Sequence, residues 1–325
     1  MDAVEHRLLD VKGSHLSLYI SGPAEGRPVW LLHGFPECWY AWRHQIAALA
    51  AEGYRVCVPE MRGYGQSSAP SAPEAYDLQS LCGDIRLAMD ALGQDRIAVV
   101  GHDWGAPVAW HLALLEPQRI AAVAGLSVPY GGHAKRSPLE SMRSAFAGRF
   151  LYILYFQEPG VAEAELDADP ARTLRMMMHG CSAAVPKDLF LREKPADARL
   201  LDGMPDPGVP PAWCGETAFQ HYLDSFAGRG FRGALNWYRN FERNWRFGET
   251  LSDARIEQPA LYLLGDKDPV GTLEAQALKR MPECVPRLEQ HLLEACGHWM
   301  QGERPAEVNA YLVNFLGRHY PAHGG

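Results

Sequence analysis

Over roughly the first 130 residues, short apolar runs alternate with longer stretches whose apolar positions recur at helical spacing. The runs at 16–20, 29–33, 55–59, 97–102 and 121–126 read as strands. Between them 42–51, 78–92 and 104–115 read as helices, each bounded by Gly or Pro. Regular strand-helix alternation predicts an α/β fold, a mostly parallel sheet flanked by helices.

From about 130 to 248 the pattern changes to helical stretches rich in aromatic residues and Met, broken by a proline- and glycine-rich loop at 201–213 and without strand runs. Strand runs return at 260–265 and 289–293, and the chain closes on a predicted helix at 305–315. With no internal repeat, the expected organisation is one sheet domain, 1–130 and 249–325, split by an inserted helical cap over 131–248.

A chain of 325 residues with 47% hydrophobic positions buries a large core. Its net charge of −8 gives no basic footprint, so neither nucleic acid nor an anionic membrane surface is an expected partner. The first ten residues carry Asp2, Glu5, His6 and Arg7 with no signal-like apolar run, and no later stretch reaches membrane-spanning length. Seven scattered cysteines show no metal-ligand spacing. A cytoplasmic protein with free thiols, no bound metal and no organic cofactor is expected.

The candidate chemistry begins at Gly101-His102-Asp103-Trp104-Gly105, which joins the run at 97–102 directly to a helix. Small residues flank the centre, as in a nucleophile elbow, a tight strand-to-helix turn that projects its central side chain above a sheet. An Asp at a helix start is also an ordinary N-cap. As a nucleophile, Asp carries chemical information. A hydroxyl attacking a saturated carbon would leave an inert ether, whereas a carboxylate leaves an ester that water can cleave.

His33-Gly34-Phe35-Pro36 follows the run at 29–33, so backbone donors are expected beside the elbow at the carboxyl edge of the sheet. Phe35 and Trp104 are the expected oxyanion-hole donors, with His33, Pro36 and Trp104 on the substrate-pocket wall. Later, Gly265-Asp266-Lys267-Asp268-Pro269 and Gly297-His298-Trp299 follow the last two runs, in the chain order nucleophile, acid, base that the α/β-hydrolase fold uses. His298 is the expected base; Asp266 and Asp268 compete for the acid. An oxygen leaving a saturated carbon would also need a proton donor, which a phenol can provide, but spacing does not choose among the tyrosines of the insertion.

The elbow, the His33 to Pro36 segment, the segments around Tyr152 and Tyr238 and the stretch Cys296 to Gln301 together resemble the soluble epoxide hydrolases over nearly the whole chain. The likeness is to the hydrolase half of the mammalian enzymes and to its bacterial relatives. It implies Asp103 as nucleophile, Asp268 and His298 as its charge-relay partners, Tyr152 and Tyr238 as ring-opening donors, and a small hydrophobic epoxide as substrate. One departure is Glu60 in Pro59-Glu60-Met61-Arg62-Gly63, where relatives often carry Asp. Haloalkane dehalogenases share the fold, the Asp and the Trp after it, but a departing halide needs no proton, so the two tyrosines favour an epoxide. A non-catalytic binder on this fold would have no use for the full residue set.

Overall fold

The computed structural model describes residues 4–322; residues 1–3 and 323–325, which the expected sheet segments include, lie outside the described residues. Eight strands form one sheet: β1 (Glu5–Asp10), β2 (His15–Ser21), β3 (Pro28–Leu32), β4 (Arg55–Pro59), β5 (Ile97–His102), β6 (Ile120–Leu126), β7 (Ala260–Gly265) and β8 (Leu288–Leu293). Their order is β1-β2-β4-β3-β5-β6-β7-β8. Pairing is antiparallel from β1 through β2 to β4 and parallel from β4 onward.

The predicted strands are present, and those at the middle of the sheet are covered on both faces. Every residue of β5 and β6 is buried. Along β3 the faces alternate: Trp30 and Leu32 join the core that includes Ile85 and Val108, while Val29 and Leu31 join Ile46, Leu49, Leu312 and Phe315. β1 was not expected. It is an edge strand of largely exposed residues, so no apolar run announces it. The expected helix at 42–51 is a 3-10 turn, Trp39–Trp42, running into a helix, Arg43–Ala51, and the last helix extends from Pro305 to His319.

The order of the strands places the site. The chain leaves β3 for β4 on one side, whereas β5 lies on the other side. Loops that diverge from neighbouring carboxyl ends leave a crevice between them. Here it lies between the loop after β3 and the turn after β5. Between β6 and β7 the named elements are helices: Pro138–Ala145, Tyr152–Tyr155, Val161–Leu166, Pro170–Gly180, Gly215–Phe226, Arg232–Tyr238 and Phe241–Gly248. They reach over the crevice, as when Trp299 Nε1 donates to the Met178 carbonyl at 2.9 Å. Among the described residues no helix is long and apolar enough to cross a membrane.

Glu60, directly after β4, links the sheet to these helices. It is only 4% exposed and accepts a hydrogen bond from Ser225 Oγ at 3.2 Å. Burial pushes its pKa from 4.5 up to about 7 although the Ser225 bond opposes the shift. His33, 3.9 Å away, supplies no counter-charge. Its Nε2 accepts the Met61 N–H at 3.0 Å and burial lowers its pKa to about 4, so the ring is neutral.

A carboxyl that binds its proton more tightly folded than unfolded favours the fold fully below pH 4.5 and loses that contribution as pH rises through about 7. Glu60→Gln keeps the acceptor for Ser225 without the charge. Its melting temperature relative to the unsubstituted protein is therefore expected to rise between about pH 5 and about pH 8. Thermal melts at both values check this, and a difference independent of pH would refute it.

Candidate active site

Asp103 has φ of 49°, a left-handed conformation that costs most side chains strain and that Asp tolerates better than most. The turn is held by close approach. A Cβ on Gly101 would strike the Gly105 backbone, and one on Gly105 would strike the Leu32 carbonyl of β3. Asp103 is no N-cap: the following helix, Gly105–Leu115, has no side-chain cap. Its carboxylate turns to the loop after β3, where Oδ1 accepts the Phe35 N–H at 2.7 Å.

A Cβ on Gly34 would lie against both the Asp103 side chain and the Trp104 amide nitrogen, which shows how near the two expected oxyanion donors come. The Trp104 N–H stands at the helix start, where no intrahelical acceptor exists. The Phe35-Pro36 bond is cis. Trp104 lines the central cavity, but His33 and Pro36, expected on its wall, do not. His33 is fully buried beneath the loop, held by Met61 and by its own contact with the Gly34 carbonyl, and Phe35 takes the wall position.

On the other oxygen, Asp103 Oδ2 lies 3.5 Å from His298 Nε2. His298 Nδ1 meets Asp268 Oδ1 at 3.1 Å, so Asp268 and not Asp266 holds the ring. Asp266 instead accepts the Cys296 N–H at 3.0 Å and braces the loop that carries His298. Burial works against a charged His298, but the charge of Asp268, hydrogen bonds to Asp103 and Asp268, and the charge of Asp103 outweigh it and raise its pKa well above the usual value. Asp268 shows the converse: burial pushes its pKa up, yet the His298 charge and hydrogen bond bring the net shift below the ordinary carboxylate value.

Other members of this site carry no sequence signal of the contacts they make. Ser127, with φ of 73°, places Oγ 3.1 Å from His298 Nδ1. Buried His102 bonds Glu37 at 2.7 Å through Nδ1 and the His298 carbonyl at 2.8 Å through Nε2. Glu303 accepts N–H groups from Ala183, Gly297 and Trp299, which joins the His298 loop to the helical insertion. Only His102 lies in a recognisable motif, the elbow, which does not name its partners; the residues meet because distant loops converge.

Above Asp103, Tyr152 opens one short helix and Tyr238 closes another, their rings 5.9 Å apart. Gln157 fixes the two helices to each other, its amide donating to the carbonyls of Ile153 at 2.8 Å and Tyr238 at 2.9 Å. Burial and then the negative charge of Asp103 push both phenol pKa values well up, so both are neutral donors. Both tyrosines line the same cavity as Asp103, which has about 530 Å³ of atom-free space, its open mouth included. An adjoining lobe shares Asp103, Tyr152, Tyr238, Val270 and Leu273 and continues to Met177, Phe190, His298 and Trp299.

The fold recurs in known proteins. A family model of the α/β hydrolase fold matches residues 27–305. The chain is 44% identical to Epoxide hydrolase A of Mycobacterium tuberculosis over 97% of its own length and 98% of that protein. Bifunctional epoxide hydrolase 2 of Sus scrofa is 40% identical over 91% of this chain, which spans 52% of that longer protein. The crystal structure of Epoxide Hydrolase A from Mycobacterium thermoresistibile superposes with a TM-score of 0.92 at 46% identity, covering 97% of this chain and 98% of that one. The chain therefore belongs to the epoxide hydrolases of the α/β-hydrolase family.

Proposed function

We propose that this enzyme converts hydrophobic epoxides to vicinal diols through a covalent ester on Asp103. The observation that carries the reading is the unequal treatment of the two Asp103 oxygens. Oδ1 is held by the Phe35 N–H, whereas Oδ2 faces His298 and the cavity. Oδ2 attacks an epoxide carbon, the carbon–oxygen bond of the ring breaks, and the departing oxygen takes a proton from Tyr152 or Tyr238. As the charge leaves Asp103 it ceases to oppose phenol ionisation. The phenols thus become better acids as the alkoxide develops, stabilising the transition state over the ground state.

The imidazolium proton of resting His298 passes through solvent to the phenolate left by ring opening; neutral His298 then removes a proton from water, which attacks Cγ of the Asp103 ester. The electron pair moves onto Oδ1, where the Phe35 and Trp104 N–H groups receive it. Collapse breaks the Cγ–Oδ2 bond, the leaving alkoxide takes the proton of the new carboxyl group, and the diol departs from a restored carboxylate and imidazolium. Asp268 orients the imidazole and stabilises the imidazolium. Residues 131–248 act as a cap whose tyrosines close over the nucleophile, and the largely apolar lining favours a hydrophobic substrate. Seven free thiols fit work in a reducing cytoplasm.

A single turnover in 18O-labelled water tests the ester. The first diol is expected to carry an unlabelled oxygen from Asp103, and the label should appear in the Asp103 carboxylate. Label found directly in that diol would refute the intermediate. His298→Gln is expected to slow hydrolysis by roughly 10²–10⁴-fold and to accumulate protein heavier by the mass of the epoxide.

The tyrosines are tested by Tyr152→Phe, Tyr238→Phe and the double variant. Each single change should leave turnover lowered by about tenfold or more, and together they should lower it at least about 100-fold. Full activity in the double variant would remove phenols from the mechanism.

Esterification deletes both the charge and the hydrogen bond of Asp103, two of the causes that raise the His298 pKa. Ester hydrolysis should therefore rise with pH through a pKa below that of His298 in the free enzyme. Single-turnover rates and an NMR titration compare the two, and equal values would contradict the assignment.

A further inference from the structure

Glu274 follows the short helix Val270–Leu273 and stands at the N-cap of the helix Ala275–Cys284. Its side chain makes no capping bond to the first turn. It lines the cavity that contains Asp103, among Trp104, Val128, Ile153, Phe241 and Leu273. Among the described residues no Lys, Arg or His lies within 4.0 Å of its carboxylate, and no side-chain hydrogen bond reaches it. Burial raises its pKa with nothing to offset the shift. The ionisable groups that sense its charge are the phenols of Tyr152 and Tyr262, so no cation compensates it.

A half-buried carboxyl on a largely apolar wall has solvent as its partner and loses it when a ligand fills the cavity. A wall that exists to meet a ligand gives it a partner when the ligand carries a donor, and a site built that way rejects the analogue lacking the donor. A hydroxyl needs one acceptor, and away from the Asp103 and tyrosine end of the cavity Glu274 provides it.

We propose that Glu274 is a specificity-determining residue that accepts a hydrogen bond from a hydroxyl carried by the epoxide substituent lying between Trp104, Val128 and Phe241. The preferred substrates are then epoxides with one wholly apolar substituent and one hydroxylated one. This rests on the proposed attack by Asp103, which seats the ring at the junction of the two lobes. Glu274 takes no part in bond making or breaking.

The test uses pairs of terminal epoxides of increasing chain length, each pair differing only in whether the chain ends in a methyl or a hydroxyl group. For each enzyme the ratio of kcat/KM for the hydroxylated to the plain member is measured, a ratio unaffected by how much of the preparation is folded. At the length that reaches Glu274, the unsubstituted enzyme is expected to exceed Glu274→Leu in this ratio by about tenfold or more. Glu274→Gln, which keeps a carbonyl acceptor, should retain most of the preference. The same ratio in Glu274→Leu at every length would overturn the proposal while leaving the ester intact. Label appearing directly in the diol in the 18O experiment would instead overturn the Asp103 reading, whatever the ratios.

Discussion

The site depends on how closely the carboxyl ends of β3 and β5 approach each other. At Gly34, Gly101 and Gly105 a methyl group would overlap backbone or the Asp103 side chain. This contact bends the chain sharply enough to hold Asp103 at φ of 49°. It also brings the Phe35 N–H to 2.7 Å from one carboxylate oxygen. The strain is tolerable because β5 is buried along its whole length and hydrogen-bonded on both sides. A strained turn on a rigid strand is pre-organised, so no reorganisation is needed when charge shifts during reaction.

Charge is the second constraint. Asp103 and Asp268 both face His298, and Asp268 and His298 are buried. Two carboxylates near one imidazole are stable while the ring is protonated, which describes the resting arrangement. Neutralising one carboxylate loosens that proton. The same geometry therefore suits a resting ion pair and, once Asp103 carries an ester, a neutral base.

The insertion is tied to the sheet domain by polar contacts at specific points as well as by apolar packing. Glu303 binds the His298 loop to Ala183, Ser225 meets Glu60, and Arg43 donates to the Trp213 carbonyl at 2.8 Å. Within the insertion, Arg239 pairs with Glu163 at 2.9 Å and Gln157 spans the two tyrosine helices. Such directional bonds define where the tyrosines stand above Asp103 better than apolar contact alone, because hydrogen bonds lose strength quickly with misalignment.

By itself the sequence determined the buried strands, the helices beside them, the elbow and the loop after β3. Each depends on local chemistry: unbroken apolar runs for strands covered on both faces, and small residues where the backbone turns tightly. It did not reveal β1, whose exposed edge needs no apolar run, nor the retreat of His33 from the pocket wall, which follows from Met61 and Glu60 packing around it. Only the tertiary structure decided that Asp268 rather than Asp266 meets His298, and that Tyr152 and Tyr238 face each other above Asp103. It alone brought Ser127, Glu37 and Glu274 to the site. The reason is physical. Periodicity and turn chemistry act between near neighbours in the chain, whereas the direction of a side chain at the sheet edge is set by loops that arrive from a hundred or more residues away.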